Sequence, residues 1–362
     1  MKIGIHTGSA FFSERTGVEE YSYQLIKNIA KLDEVKDHQF ILYVDPKTAD
    51  IIPELPENFK IKKLNSPFLW TKLRLSFELF SHPVDVLFVP ANFMPLFCPE
   101  NTVVTIHGLE FEYLPESYPK KDLYYLKQGT REVVKKAKKI IAVSENTKID
   151  LKDLYNADME KITVIHHGVL NKGEKNRKKI EGGKYILYIG RLETKKNIKG
   201  IVEAFNELKI AYNIPYKLIL AGKEGKDFGK LKNIIKTSPY KNDIVLTGYL
   251  NQKEKEDLLE GANIFLFPSF YEGFGMPILE AQERGVPVIT SNISSMPEVA
   301  GKDGALFVDP NNLEDMANAL KTLAEDDNLR QNLIEQGKRN AEKYSWEKCA
   351  KETMDVLLSL RS

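Results

Sequence analysis

The sequence predicts an α/β protein of two domains, each built on a parallel, doubly wound sheet, with a ligand held in the cleft between them. Three observations predict it. Short β-branched apolar runs alternate with longer helical patterns along the whole chain. The alternation pauses once, at the polar, basic and glycine-bearing stretch 170–184, and then resumes. A length of 362 residues exceeds one ordinary core and suits two domains of typical size. The predicted boundaries are therefore 1–169 for an N-terminal domain, 170–184 for a linker and 185–344 for a C-terminal domain, followed by a last helix over 345–362.

In the first half, the runs Lys2–His6, Phe40–Val44, Val86–Val89, Val103–His107, Ile140–Val143 and Ile162–Ile165 are short and apolar, as strands buried on both faces must be. Amphipathic patterns near Val18–Leu32, Lys72–Phe80, Asp122–Lys138 and Glu145–Tyr155 predict the helices between them, the last capped by Ser144. In the second half, strands are expected at Tyr185–Ile189, Lys217–Ala221, Ile244–Leu246, Ile264–Phe267, Val286–Thr290 and Ala305–Val308. Helices fit Ile198–Leu208, Phe228–Ile235, Gln252–Leu259, Pro277–Glu283 and Leu313–Glu325. From Asp326 the pattern stays helical to Leu360, with a break near Tyr344-Ser345-Trp346.

Composition narrows the function. A hydrophobic share of 42% and a charged share of 28% belong to a globular, water-soluble chain. A net charge of +1 supplies no field for a polyanion, so a nucleic-acid partner is not expected. Two cysteines, Cys98 and Cys349, make no disulfide framework and match no metal spacing, which reads as a reducing compartment. The chain begins directly on a strand pattern with no signal-peptide architecture, and no apolar run is long enough to span a bilayer. A cytoplasmic location is the expectation.

The most informative segment is Phe267-Pro-Ser-Phe-Tyr-Glu272-Gly273-Phe274-Gly275-Met-Pro277-Ile-Leu-Glu280. A strand ends, a loop presents a carboxylate and two glycines, and Pro277 fits a first helical turn. The amides at such a helix start suit an anion, and Glu272 and Glu280 can accept hydrogen bonds from sugar and ribose hydroxyls. The plain alternative is a solvated turn and a helix surface. Gly190-Arg191-Leu192 through Lys196-Asn197 follows the first strand of the second domain, where a phosphate site is expected. Arg191 offers a planar fork and Lys196 a point charge, so a diphosphate could be neutralised without a metal; no Asp-x-Asp pair is present to hold one. A basic solvated loop, with Asn197 capping the next helix, is the alternative reading. His107 ends a strand and is the candidate histidine of the first domain, against a structural role; His6 competes with it, and His166 and His167 read as structural. Gly17 opens a helix and lets backbone approach a phosphate, or is simply a turn glycine.

Together, in order, Gly17-Val-Glu-Glu-Tyr-Ser22, Val103-Val-Thr-Ile-His107, Ala142-Val-Ser-Glu-Asn-Thr147, Val164-Ile-His-His-Gly168, Gly190-Arg-Leu192, Lys196-Asn197, Ala221-Gly222, Thr247-Gly-Tyr249 and the Glu272/Glu280 pair resemble the retaining glycosyltransferase family four, or group 1 glycosyltransferases. The resemblance covers essentially the whole chain. It implies a GT-B fold, two Rossmann-like domains facing a deep cleft, with the last helix returning to the first domain. It implies a metal-independent enzyme without cofactor, whose co-substrate is a UDP- or GDP-linked hexose such as mannose or glucose. Glu272 and Gly273-Phe274-Gly275 would hold the donor sugar, with Glu272 and His107 at the reacting centre. Arg191, Lys196 and Gly17 would hold the diphosphate, Glu280 the ribose, and Gly222, Tyr249 and Leu250 would lie beside the nucleobase. The chain departs from the family at Gly108 and Leu170, where relatives often carry Asp and Asp or Asn.

The apolar loop Asn92-Phe93-Met-Pro-Leu-Phe97 lines an acceptor pocket or packs in the core; the acceptor itself is expected to be a glycan, a lipid-linked glycan or a small molecule. Phe68-Leu69-Trp70 beside Lys62, Lys63, Lys72 and Arg74, and the basic run Lys120–Lys139, suggest peripheral contact with the inner face of a membrane, or a solvated helix face. Other functions compatible with two such domains are a nucleotide-sugar epimerase and a non-catalytic sugar-binding protein. A nicotinamide dehydrogenase would need a GxGxxG turn, which neither domain has.

Overall fold

The computed structural model describes residues 1–360 apart from 9, 16, 67, 68, 92 and 170–182. The chain divides into two compact units: Met1–Gly168 with Tyr344–Ser362, and Val169–Lys343. In the first, β1 (Lys2–His6), β2 (Gln39–Val44), β3 (Phe59–Lys63), β4 (Val86–Val89), β5 (Thr102–Ile106), β6 (Lys139–Ala142) and β7 (Ile162–Val164) form one sheet in the order β3-β2-β1-β4-β5-β6-β7. In the second, β8 (Tyr185–Ile189), β9 (Lys217–Ala221), β10 (Ile244–Gly248), β11 (Ile264–Phe267), β12 (Val288–Ser291) and β13 (Leu306–Val308) lie in the order β10-β9-β8-β11-β12-β13.

All neighbours pair in parallel, from Ile3 against Phe40 in the first sheet to Leu187 against Ile219 in the second. Helices cover both faces of such sheets, which is why β4, β5, β11 and β12 are buried at every residue and read as continuous apolar runs. Each strand order runs outward from its first strand and then restarts on the other side. The reversals fall between β1 and β4, and between β8 and β11. Ligands of doubly wound sheets bind beyond the carboxyl ends of the strands at such a reversal.

Several elements differ from the expectation. β3 was not anticipated. Its sequence Phe-Lys-Ile-Lys-Lys sits on the sheet edge, where lysines stay hydrated and guard against further pairing, while Phe59 stacks on Phe40 with ring centroids 4.2 Å apart. The helix expected over Lys72–Phe80 begins earlier, as a π-helical turn Trp70–Arg74 that runs into the α-helix Leu75–Ser81. The long helical pattern after Asp326 divides into Asp327–Ala341 and Trp346–Leu358. The break comes where Ser345 Oγ accepts from the Lys348 amide at 3.1 Å. Ser144 caps its helix as expected, accepting from the Thr147 amide at 3.0 Å.

The last helix belongs to the first unit and packs on the helix Val18–Ile29, burying Trp346, Cys349, Ala350, Met354 and Leu357. Contact is close enough to dictate sequence. A Cβ on Gly168 would lie 2.1 Å from the Trp346 nitrogen and 2.4 Å from the Ser345 carbonyl carbon.

Candidate functional site

In the second unit the loops leaving β8 and β11 carry the residues singled out above. After β8 the chain passes Gly190 and Arg191, makes a 3-10 turn over Thr194–Lys196 and enters the helix Ile198–Tyr212 through Asn197. Asn197 does cap that helix, accepting from the Gly200 amide at 3.2 Å, and its amide donates to the Pro310 carbonyl at 2.8 Å. The capping reading of this loop therefore holds for Asn197, while Lys196 points elsewhere. Lys196 Nζ donates to both carboxylate oxygens of Glu272, at 2.7 and 2.8 Å, with both side chains largely buried. The Phe270 amide donates to the Lys195 carbonyl at 3.2 Å and ties the two strand-exit loops together. Arg191 is half exposed, 3.5 Å from Glu193.

The loop after β11 is anchored by serines that sequence reasoning did not single out. Ser294 Oγ donates to the Glu272 carbonyl at 2.7 Å, Ser295 Oγ lies 2.8 Å from the carbonyls of both Glu272 and Phe274, and Ser291 Oγ donates to the Ser269 carbonyl at 2.7 Å. Gly273, Phe274 and Gly275 are buried. Gly275 has φ +106°, a conformation that favours glycine, and opens the helix Met276–Glu283 with Pro277 in its first turn and no side-chain cap. Glu280 stands one turn into this helix. Lys255, on the helix Gln252–Gly261, donates to Glu280 at 2.6 Å. Arg284 binds the same two helices through Glu256, Glu260 and Glu283 at 3.7, 3.2 and 3.0 Å. No local pattern marks Lys255, since its partner lies a whole strand and loop away in sequence.

Each glutamate of the pair is thus set against a lysine, beside an uncapped helix start at the β8/β11 reversal. Such a constellation offers fixed positive charge and amides to an anion, and carboxylate acceptors to hydroxyls. Gly222 follows β9 at φ +140°, and a Cβ there would meet the Gly190 carbonyl oxygen at 2.0 Å. Its amide donates to the Gly248 carbonyl at 2.9 Å. Tyr249 follows, exposed, with Lys223 Nζ 4.7 Å from its ring centre, and Leu250 is half-buried beside it. These three residues therefore follow the ends of β9 and β10, one and two strands over from β8.

In the first unit, Gly17 and Phe93 lie on the loops leaving β1 and β4, the two strands of that sheet's reversal. Gly17 is exposed at φ +45° and starts the helix Val18–Ile29. Phe93, 38% exposed, lies against the helix Lys120–Lys136, where a Cβ on Gly129 would come within 2.8 Å of its ring. Asn92 lies outside the described residues. His107 follows β5 and donates from Nε2 to the Pro90 carbonyl at 2.8 Å. Burial pushes its pKa down to about 4, so the ring is neutral at physiological pH. The ring therefore carries no positive charge, and its Nε2 proton is already committed. Around it stand Tyr21, His167 and Trp346, with ring centroids 4.6 to 6.1 Å apart, drawn from four separate segments. His6, the competing histidine, is buried on the edge of Trp70 and bonds Thr71 Oγ1 at 3.0 Å.

Burial lowers the pKa of His6 and His107 to about 4 and that of His167 well below 6.5. The unfolded chain takes up these protons near pH 6.5 and the folded chain does not, so stability is full above that value and falls as pH drops towards 4. We expect each histidine to contribute about 1.4 kcal/mol per pH unit to that slope. Melting curves between pH 7 and 5 check it: His6→Gln should flatten the dependence, and an unchanged slope would count against the assignment.

Among the described residues no group of three or more His, Cys, Asp or Glu side chains is placed to hold a metal ion, and no helix is long and apolar enough to cross a membrane.

Comparison with known proteins bears directly on this geometry. Residues 15–169 match the family model of Glycosyltransferase Family 4, and residues 171–340 that of Glycosyl transferases group 1. The chain is 30% identical over 368 residues to the O-antigen chain mannosyltransferase B of Escherichia coli, covering 94% of this chain and 95% of that protein. Among solved structures, sucrose-phosphate synthase from Thermosynechococcus elongatus superposes with a TM-score of 0.80 at 16% identity, over 99% of this chain and 98% of that one. Anabaena HepE, solved in complex with UDP-glucose, does so at 0.72 and 16%, over 99% and 100%. These structures share the two-sheet GT-B fold. The chain belongs to the group 1 glycosyltransferases, and it is an enzyme that transfers sugar.

Proposed function

We propose that the enzyme moves a hexose, mannose foremost, from a UDP- or GDP-linked donor to a growing glycan or lipid-linked acceptor, with retention of anomeric configuration. The mannosyltransferase relative supports the sugar and the polysaccharide setting. The UDP-glucose complex of a structural neighbour supports a nucleotide-linked donor. The observation that carries the reading is the gathering of Arg191, Lys196, Glu272 and the Gly275 helix start on the two strand exits of the β8/β11 reversal.

Cleavage of the bond between the anomeric carbon and the diphosphate builds negative charge on the leaving oxygen. Arg191, Lys196 and the amides of the Met276 helix stabilise that charge most when it is greatest, which is what accelerates a reaction. Glu272 and the backbone of Gly273–Gly275 hold the hexose, and Glu280, oriented by Lys255, takes the ribose hydroxyls. Gly222, Tyr249 and Leu250 border the base. For the first unit the family resemblance implies that Gly17 serves the diphosphate and that His107 serves the reacting centre, through its backbone or its neutral ring.

The test is transfer from GDP-mannose, UDP-glucose and UDP-N-acetylglucosamine, with the anomeric proton of the product read by NMR. An α-linked product from an α-linked donor is expected. A β-linked product would overturn retention, and an isomerised nucleotide sugar formed without acceptor would overturn transfer itself.

A further inference from the structure

We propose that the helical segment Trp70–Ser81 and the adjoining turn Leu96–Phe97 dock this protein on an anionic lipid bilayer. The segment already has a face that serves the fold: Leu75 and Leu79 are 0% and 1% exposed within the core of the first unit. Its opposite side is apolar as well. Leu69, Leu73, Phe77 and Phe80 recur at helical spacing and are 52% to 69% exposed. The turn is laid along them. The Leu96 amide donates to the Lys72 carbonyl at 3.3 Å, the Phe97 amide to Ser76 Oγ at 3.0 Å, and Phe97 meets Phe80 edge-on with centroids 5.4 Å apart. Leu96 and Phe97 are themselves half exposed, so six large apolar side chains form one continuous surface that packing within the unit does not use.

The rim identifies the occupant. Glu78 is shared by Lys62 and Arg74, Glu132 by Lys72 and Lys136, and Glu100 pairs with Lys138. Five cations thus face three carboxylates, and the surface is apolar with a positive border. A second copy of the same face would bring two positive borders together, whereas anionic headgroups match the border and acyl chains match the centre.

The residues differ from those the sequence suggested. Trp70 turns inward, donating from Nε1 to the Leu64 carbonyl at 2.7 Å with its ring against His6. Phe68 lies outside the described residues. In the basic run, Lys127 is bound to Glu112 at 2.5 Å and Lys136 to Glu132 at 2.8 Å.

The experiment is co-sedimentation of the full chain with vesicles of phosphatidylcholine, alone and with about one-third phosphatidylglycerol, at low salt. Binding is expected on the mixed vesicles. The triple variant Leu73→Ser, Phe77→Ser, Phe80→Ser should keep the wild-type melting temperature, since these positions are exposed. Its partition should fall by about tenfold for each side chain removed. Three outcomes overturn the proposal: no binding of the wild type to the mixed vesicles, equal binding of the triple variant, or a wild-type dimer in the ultracentrifuge that the triple variant dissociates. None of these readouts involves sugar transfer, so the outcome is independent of the function proposed above.

Discussion

Arg191→Ala lowers turnover by at least about a hundredfold while leaving the melting temperature unchanged. The two halves of that expectation come from different observations. Arg191 is half exposed, and its ion pair to Glu193 is 3.5 Å long, so the fold loses little when the side chain goes. Its planar fork stands on the strand exit at which the function proposed above seats the departing diphosphate. Loss of one fixed donor at such a point costs about 3–4 kcal/mol of transition-state stabilisation. Lys196→Ala should reduce turnover as much, but not as cleanly. Removing it leaves the Glu272 carboxylate, itself 9% exposed, without the cation at 2.7 Å that now holds it. Stability falls too, because a buried charge left alone is costly. Comparing the two variants separates chemistry from folding. If both turn over normally, the diphosphate is held elsewhere.

Gly168→Ala should lower the melting temperature by roughly 5–10 °C, the counterpart of about 3 kcal/mol in a domain of this size. The added methyl would stand 2.1 Å from the Trp346 nitrogen and 2.4 Å from the Ser345 carbonyl carbon. Both are backbone atoms, so no rotamer change relieves the clash, and the start of the helix Trp346–Leu358 must move. That helix buries Trp346, Cys349, Ala350, Met354 and Leu357 against the first unit. Trp346 also stacks on His167, which in turn touches Tyr21. Displacement therefore loosens the cluster around His107. Limited proteolysis should release the C-terminal helix from the variant at temperatures where the wild type resists. An alanine variant as stable and as resistant as the wild type would show that the contact is not the constraint described here.

The fold was legible because its signals are local. Buried parallel strands such as β4 and β11 are unbroken apolar runs, and helix starts such as Ser144 and Pro277 announce themselves by residue type. β3 escaped because an edge strand spends its lysines on solvent and keeps only Phe59 as a core residue, too little to register as a strand pattern. The same distinction runs through the site. Arg191, Lys196, Glu272 and Glu280 were singled out because they lie on the two segments that lead from a strand end into the next helix. Lys255, Ser294 and Ser295 were not, because what they do depends on which helix or loop lies beside them in space. Tyr21 passed as an ordinary core residue of an amphipathic helix. His107 was singled out, but its charge state was not legible, since it is buried beside Tyr21 and His167 from distant segments, and burial pushes its pKa to about 4. Phe77 and Phe80, exposed on the helix Leu75–Ser81, were not singled out, and the inward turn of Trp70 was not legible in its neighbours.

The most direct test of the account is a crystal structure of the enzyme with a nucleoside diphosphate bound. The account predicts phosphate oxygens within hydrogen-bonding distance of the Arg191 guanidinium, the Lys196 ammonium and the amides that begin the Met276 helix, with the ribose on Glu280. A diphosphate seated anywhere else, with Arg191 and Lys196 left facing water, would contradict it.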